Sequence, residues 1–172
     1  MVVWIIGLSG AGKSVVGSLV ADSLRARHPN TVFLDGDSFR AVMGGDLGHS
    51  MDDRLKNAER ICRMCAFLSG QGIHVVCAIL SLFPETRVWN RENIAGYFEV
   101  FLDASIEDIE AVDVKGIYRA YRAGEIDNVV GLDIPFPRPA SPDLVIRNDF
   151  RSSTPRQLAE QVLAALPIRE AF

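Results

Sequence analysis

Nowhere in these 172 residues does an apolar run approach the ~20 residues that a membrane span requires. Basic residues are not in excess: 18 Lys and Arg face 22 Asp and Glu, a net charge of −4. Without a basic face, a nucleic-acid polymer is excluded as the expected partner. Cysteine is scarce, three in all, which excludes a disulfide framework and suits a reducing, cytoplasmic compartment. Cys62 and Cys65 form a C-x-x-C, but inside the helical pattern NAERICRMCAFLSGQG rather than at a helix start. Core packing is their expected role. His28, His49 and His74 are scattered, with no second ligand at metal spacing, so no structural metal is expected. Met1 leads straight into an apolar run, which leaves no expected signal peptide. With no repeat and no linker, residues 1–172 read as one domain.

What the chain does have begins at residues 2–14, VVWIIGLSGAGKS. The unbroken apolar run is the pattern of a strand covered on both faces, as at the centre of a parallel sheet. It leads into G-x-x-x-x-G-K-S: Gly7, Leu8, Ser9, Gly10, Ala11, Gly12, Lys13 and Ser14. Here the glycines let backbone N–H groups turn toward a triphosphate, and the following helix points its positive end at the same anion. Lys13 would reach the β- and γ-phosphates and the Ser14 hydroxyl would sit on Mg²⁺. ATP and Mg²⁺ are therefore the expected cofactors, and Lys13 is expected to stand exposed in the empty loop. The helix comes from VVGSLVADSLRAR, with Val16, Leu19, Val20 and Leu24 on one face. A glycine-rich turn that binds nothing is the plain alternative.

Strands and helices then alternate. TVFLD (31–35), IHVVCAILS (73–81), FEVFLD (98–103) and DLVIRN (143–148) read as further strands. Helices are expected over 51–70, 84–93, after a cap at Ser105, and over 154–166 with Thr154 as cap and Pro155 in the first turn. Residues 113–142 lack a sustained period and suggest a mobile, lid-like segment over the site. The fold class is α/β: a phosphate-binding-loop NTPase, nucleotide-kinase-like, with a five-stranded parallel sheet flanked by helices.

No Asn/Thr-Lys-x-Asp guanine box is present, and the third strand does not end in the acidic residue of a mechanical ATPase. Carboxylates come instead from Asp35 and Asp37, after the second strand. One there can hold Mg²⁺ through water or accept a proton from an attacking hydroxyl. The plainer role is a cap, with Asp37 or Ser38 capping the turn at 39–43.

FLDGDSFR, DLGHSMDDRLKNAER, CAILSLF, EVFLDAS, DVKGIYRAYRAGEIDNVVGLD and PDLVI together resemble the adenylylsulfate kinases over roughly residues 2–166. That resemblance implies transfer of the γ-phosphoryl of MgATP to the ribose 3′-hydroxyl of adenylyl sulfate, as in sulfate assimilation. It implies Asp37 as the carboxylate facing that hydroxyl and, with Ser14, a Mg²⁺ contact. Arg40, Arg54 and Asn57 would hold the acceptor, beside Asp35, His49, Leu80 and Val129. Ser81 matches a serine described as a possible phosphorylated intermediate. No base stands next to it in the sequence, and a positioning hydroxyl serves direct transfer equally well. Lys115, Arg119 and Arg122 match basic residues of a lid. Family members often pair, which leaves a homodimer open. From the residues alone, Arg54 and Asn57 fall on one helical face, and guanidinium groups suit planar anions.

The pattern also departs from the family. His49 and Val129 stand where adenylylsulfate kinases generally place two phenylalanines around the adenine. Leu82 replaces a proline, and Val112 an arginine. A related branch, acting in capsule modification, phosphorylates cytidine diphosphoramidate, and CAILSLFPETRVWNR and NVVGLDIPFP look closer to it. A cytidine-type acceptor and a non-catalytic nucleotide-binding module are the two alternatives.

Overall fold

The computed structural model describes residues 1–113 and 115–167. Its elements are β1 (Val2–Ile6), α1 (Lys13–Arg27), β2 (Thr31–Asp35), α2 (Gly36–Val42), α3 (Met51–Gly70) and β3 (His74–Ile79). They continue with α4 (Pro84–Asn93), β4 (Tyr97–Asp103), α5 (Ile106–Val112), α6 (Ile117–Arg122), β5 (Leu144–Arg147) and α7 (Pro155–Ala165). The five strands form the expected parallel sheet, in the order β2-β3-β1-β4-β5.

Every residue of β1 is fully buried. Side chains alternate across a strand, so Val3 and Ile5 enter the core under α1 and α7, with Val16, Val20, Leu158 and Val162. Val2, Trp4 and Ile6 enter the opposite core with Ile61, Cys62 and Cys65 of α3. The three cysteines are free and buried, as core residues should be. With β1 central, the chain leaves its carboxyl end where the crossovers diverge, which is where open α/β sheets bind ligands.

Several local expectations change. Asp35, not Asp37 or Ser38, caps α2: its Oδ1 accepts from the Asp37 N–H at 3.0 Å and the Ser38 N–H at 3.3 Å. Asp35 has the extended backbone that a cap needs, whereas Asp37 and Ser38 already lie inside the helix. The third strand stops at Ile79, because Ser81 turns to φ +53°. Residues 113–142 contain the helix α6, and Tyr118, Val129 and Val130 are buried against Leu8 and Ala11 of the loop. His28 and His74 are not scattered, since their rings meet edge-on at 4.9 Å. The caps at Ser105 and Thr154 form as expected, Thr154 in a reciprocal box with Gln157.

Candidate active site

The glycines of the loop have two separate jobs. Gly12 sits at φ +91°, which disfavours any side chain, and starts α1. Gly7 passes so close to β4 that a Cβ would lie 2.6 Å from the Leu102 carbonyl oxygen. Two braces that the sequence does not announce hold the loop from outside. Asn148 Nδ2 donates to the Ala11 carbonyl at 3.0 Å, and the Tyr118 hydroxyl donates to that of Ser9 at 3.2 Å. Lys13 is not exposed: it is half-buried and donates from Nζ to the Leu8 carbonyl at 2.7 Å. Burial, with repulsion from Lys115 added, pushes its pKa down to about 8.

Asp35 links two elements. While Oδ1 caps α2, Oδ2 accepts from the Ser14 hydroxyl at the start of α1. Asp37, two residues on, is exposed and takes a hydrogen bond from Lys115 Nζ at 2.9 Å. That bond holds its carboxyl below the ordinary value.

Across the cleft, Arg40 donates to the carbonyls of Leu47 and Gly48 at 3.1 and 2.6 Å. Arg54 donates to those of His49 and Asn128 at 2.8 and 3.2 Å. Among the described residues both guanidiniums donate only to carbonyls, so neither positive charge is neutralised by a carboxylate bond. Burial and the nearby Arg40 lower the pKa of Arg54. Asn57, one turn after Arg54 on α3, is buried and its Oδ1 has no hydrogen-bond partner. A buried, unpartnered acceptor facing a cleft is costly unless a ligand completes it.

The charged and polar groups of the loop, α2 and α3 open onto one cleft of about 1180 Å³. Lys13, Ser14, Asp35 and Asp37 form its phosphate end, and Ser9 joins them. Arg40, His49, Arg54, Asn57, Leu80, Ser81, Lys115 and Val129 line the remainder. Gly7, Leu8, Gly10, Ala11 and Gly12 shape the loop behind. Arg119 and Arg122 are not brought in: they pair with Asp113 at 3.4 Å and Glu110 at 3.1 Å, outside the cleft. Ser81 is buried, and its Oγ accepts from the Trp4 indole N–H at 3.1 Å. Asp133, which sequence reasoning missed, accepts from the N–H groups of Asn128 and Val129 at 2.7 and 2.6 Å. Its place at the end of the Asn128–Asp133 stretch was the available signal.

Residues 1–147 match the adenylylsulphate kinase family. The chain belongs to that family. An adenylyl-sulfate kinase of Marinobacter nauticus is 39% identical over 169 residues, covering 97% of this chain and 84% of the relative. The bifunctional enzyme CysN/CysC of Xylella fastidiosa is 38% identical over 97% of the chain, which spans only 27% of that longer protein. A cytidine diphosphoramidate kinase of Campylobacter jejuni is 33% identical over 88% of each chain. Among solved structures, the Mycobacterium tuberculosis APS kinase CysC in complex with AMPPNP and APS superposes with a TM-score of 0.88. It is 36% identical and covers 97% of both chains. For an adenylylsulphate kinase fold, the β3–α4 turn at Ser81 and the loop at Val129 thus become the walls to explain. Among the described residues no helix is long and apolar enough to cross a membrane.

Proposed function

We propose that this chain is an adenylyl-sulfate kinase, transferring the γ-phosphoryl group of MgATP to the ribose 3′-hydroxyl of adenylyl sulfate. The observation that carries the reading is the unpartnered Asn57 Oδ1 beside Arg40 and Arg54, in the same cleft as the phosphate loop. That arrangement needs a second, anionic ligand with a donor group, opposite ATP. A module that only binds nucleotide has no use for it.

In the transfer, a bond forms between the 3′-oxygen and the γ-phosphorus while the bond to the β–γ bridging oxygen breaks. Asp37 accepts the hydroxyl proton. Lys115 donates to that carboxylate, and the same ammonium can turn to the phosphates and leave Asp37 free to take the proton. Lys13 meets the charge on the γ-phosphoryl oxygens. Ser14 and Asp35, already in hydrogen bond, and nearby Asp37 offer the hard oxygen donors that Mg²⁺ takes. The metal supplies charge neutralisation on the phosphates when bound. Ser81 orients the acceptor rather than attacking, because its oxygen already accepts from Trp4 and no base adjoins it. The reading also includes a reducing, cytoplasmic setting, which suits three free thiols, and a homodimer on the strength of the family resemblance.

The second reading, a cytidine-type acceptor, rests on Val129. It lines the cleft but is buried beside Leu8 and Ala11, so it offers the base no aromatic face. Stacking on an aromatic side chain is worth about 1–3 kcal/mol per base. An acceptor screen with labelled ATP decides between the two. ADP formation dependent on adenylyl sulfate is expected. Turnover with cytidine diphosphoramidate and none with adenylyl sulfate would reverse the order of the readings. ATP consumption indifferent to every acceptor would end both.

A further inference from the structure

Arg87 lies on the buried face of α4, away from solvent, and belongs to none of the groups assigned to the nucleotides. Its guanidinium makes two bonds to backbone far apart in sequence. Nη1 donates to the Ser81 carbonyl at 2.8 Å, and Nη2 donates to the Pro137 carbonyl at 3.3 Å. One carbonyl belongs to the turn that lines the acceptor end, and the other to the segment that follows the second lining loop. Leu80, Ser81 and Leu82 line the cleft from the β3–α4 turn, while Val129 and Val130 line it from the loop that returns through Ile134 to Pro137.

The turn needs support. Ser81 holds φ +53°, a left-handed conformation that a serine adopts only when its surroundings enforce it. Two bonds enforce it here, from the Trp4 indole to Oγ and from Arg87 to the carbonyl. A rigid, forked cation can hold both carbonyls at once in a fixed geometry, which a lysine cannot. Glu99, buried in β4 beneath α4, attracts the guanidinium and gives its charge a counterpart. Arg91, also on α4, lies 3.9 Å from the same carboxylate, and the Tyr97 hydroxyl donates to it.

We infer that Arg87 is a positioning residue for the acceptor: one buried guanidinium clamps the Ser81 turn to the Pro137 segment and so fixes the width of the acceptor end. Arg87 itself makes no bond to the phosphate loop; the clamped segment meets that loop only through apolar packing of Val129 and Val130 on Leu8 and Ala11. The inference rests on the acceptor end being the one described above, but not on which base the acceptor carries.

Two variants of the full chain test it. Arg87→Lys keeps the charge opposite Glu99 and can bond one carbonyl. The pair Arg87→Met with Glu99→Gln removes both buried charges together, so no uncompensated ion is left to unfold the protein. Initial rates are measured with acceptor varied at saturating ATP, and the reverse, using whichever acceptor the wild-type enzyme turns over. The acceptor KM is expected to rise about 10-fold or more in the double variant and less in Arg87→Lys. The KM for ATP should stay within about two-fold. In a Trp89→Phe background, where Trp4 is the sole tryptophan, its emission should shift while the melting temperature holds. An acceptor KM unchanged in both variants, an equal rise in both constants, or an unmoved Trp4 emission overturns the clamp. The emission arm needs no turnover. A wild-type enzyme inert toward adenylyl sulfate therefore counts against the proposed function alone.

Discussion

The two ends of the cleft are built by different means. At the phosphate end, the backbone follows directly from β1, turns at Gly12, and is pressed against β4 where Gly7 meets Leu102. At the acceptor end, residues 43–50 and 126–137 lie outside the sheet. Side chains hold them there: Arg40 and Arg54 by donating to carbonyls, Asp133 by accepting two N–H groups, Arg87 by clamping. A backbone set by strand and glycine leans less on polar side chains, although Asn148 and Tyr118 brace it from outside. A backbone set by side-chain bonds depends on them. Loss of a polar group that faces the phosphates, such as Lys13, should therefore damage mainly chemistry at the first end, and loss of a bonding side chain should damage geometry at the second.

The largest expected effect tests the first half of that contrast. Lys13→Ala should lower kcat by about 10³-fold or more, since its charge is needed where the transition state gains negative charge. Stability should hold or rise rather than fall. The variant removes a desolvated cation, and the Leu8 carbonyl keeps its bond from the Ala11 N–H. A near-normal rate would show that the loop does not hold ATP productively. A large fall in melting temperature would show that the loop backbone leans on Lys13 after all.

The same contrast explains what could be read without a structure. The phosphate loop was legible because strand, glycines, lysine and helix are contiguous, and each constrains the next. The succession of strands along the chain and the caps at Ser105 and Thr154 followed from local patterns in the same way. What stayed hidden depends on contacts that only the folded backbone sets, whether the partner is near or far along the chain. His28 and His74 meet across the β2–β3 end of the sheet, and no spacing rule joins them. Lys13 carries no sign that its amine folds back onto Leu8. Asp35, Asp37 and Ser38 are all competent caps by composition, and only backbone geometry selects Asp35. Arg40, Arg54 and Asn57 could be named from motif order. Asn148 and Arg87 act on backbone groups of other segments, and Asp133 on N–H groups of its own loop; these contacts appear only on folding.

A smaller effect, about 10-fold, is expected from Asp133→Asn. An amide can accept from one of the Asn128 and Val129 N–H groups but turns its own donor toward the other. Losing one charge-assisted bond is worth about 1.5–3 kcal/mol, and about 1.4 kcal/mol in acceptor binding is ten-fold. The acceptor KM should rise by that order while the KM for ATP stays put. Steady-state kinetics with each substrate varied will show it. A rise confined to ATP would contradict the division between the two ends.

The smallest signal is a proton. Lys13 sits at about 8 in the empty protein against 10.5 for a free lysine, chiefly because burial disfavours its charge. The unfolded chain therefore holds more protons than the folded one between those values. Stability of the empty protein should rise with pH through that window, and the cost of the buried charge should be fully present below it. Binding of MgATP brings negative charge to the amine and restores its affinity for the proton. At pH 8 a fraction of the loops carries a neutral lysine, so binding should take up a fraction of a proton per ATP. Near pH 6.5 the amine is already charged and the uptake should vanish. Titration calorimetry in buffers of different ionisation heat measures the number directly, with Lys13→Ala as the control. Uptake that persists in that variant would assign the proton elsewhere. No uptake at pH 8 in the wild-type protein would mean that Lys13 keeps its charge in the empty loop, and that its bond to Leu8 offsets the burial.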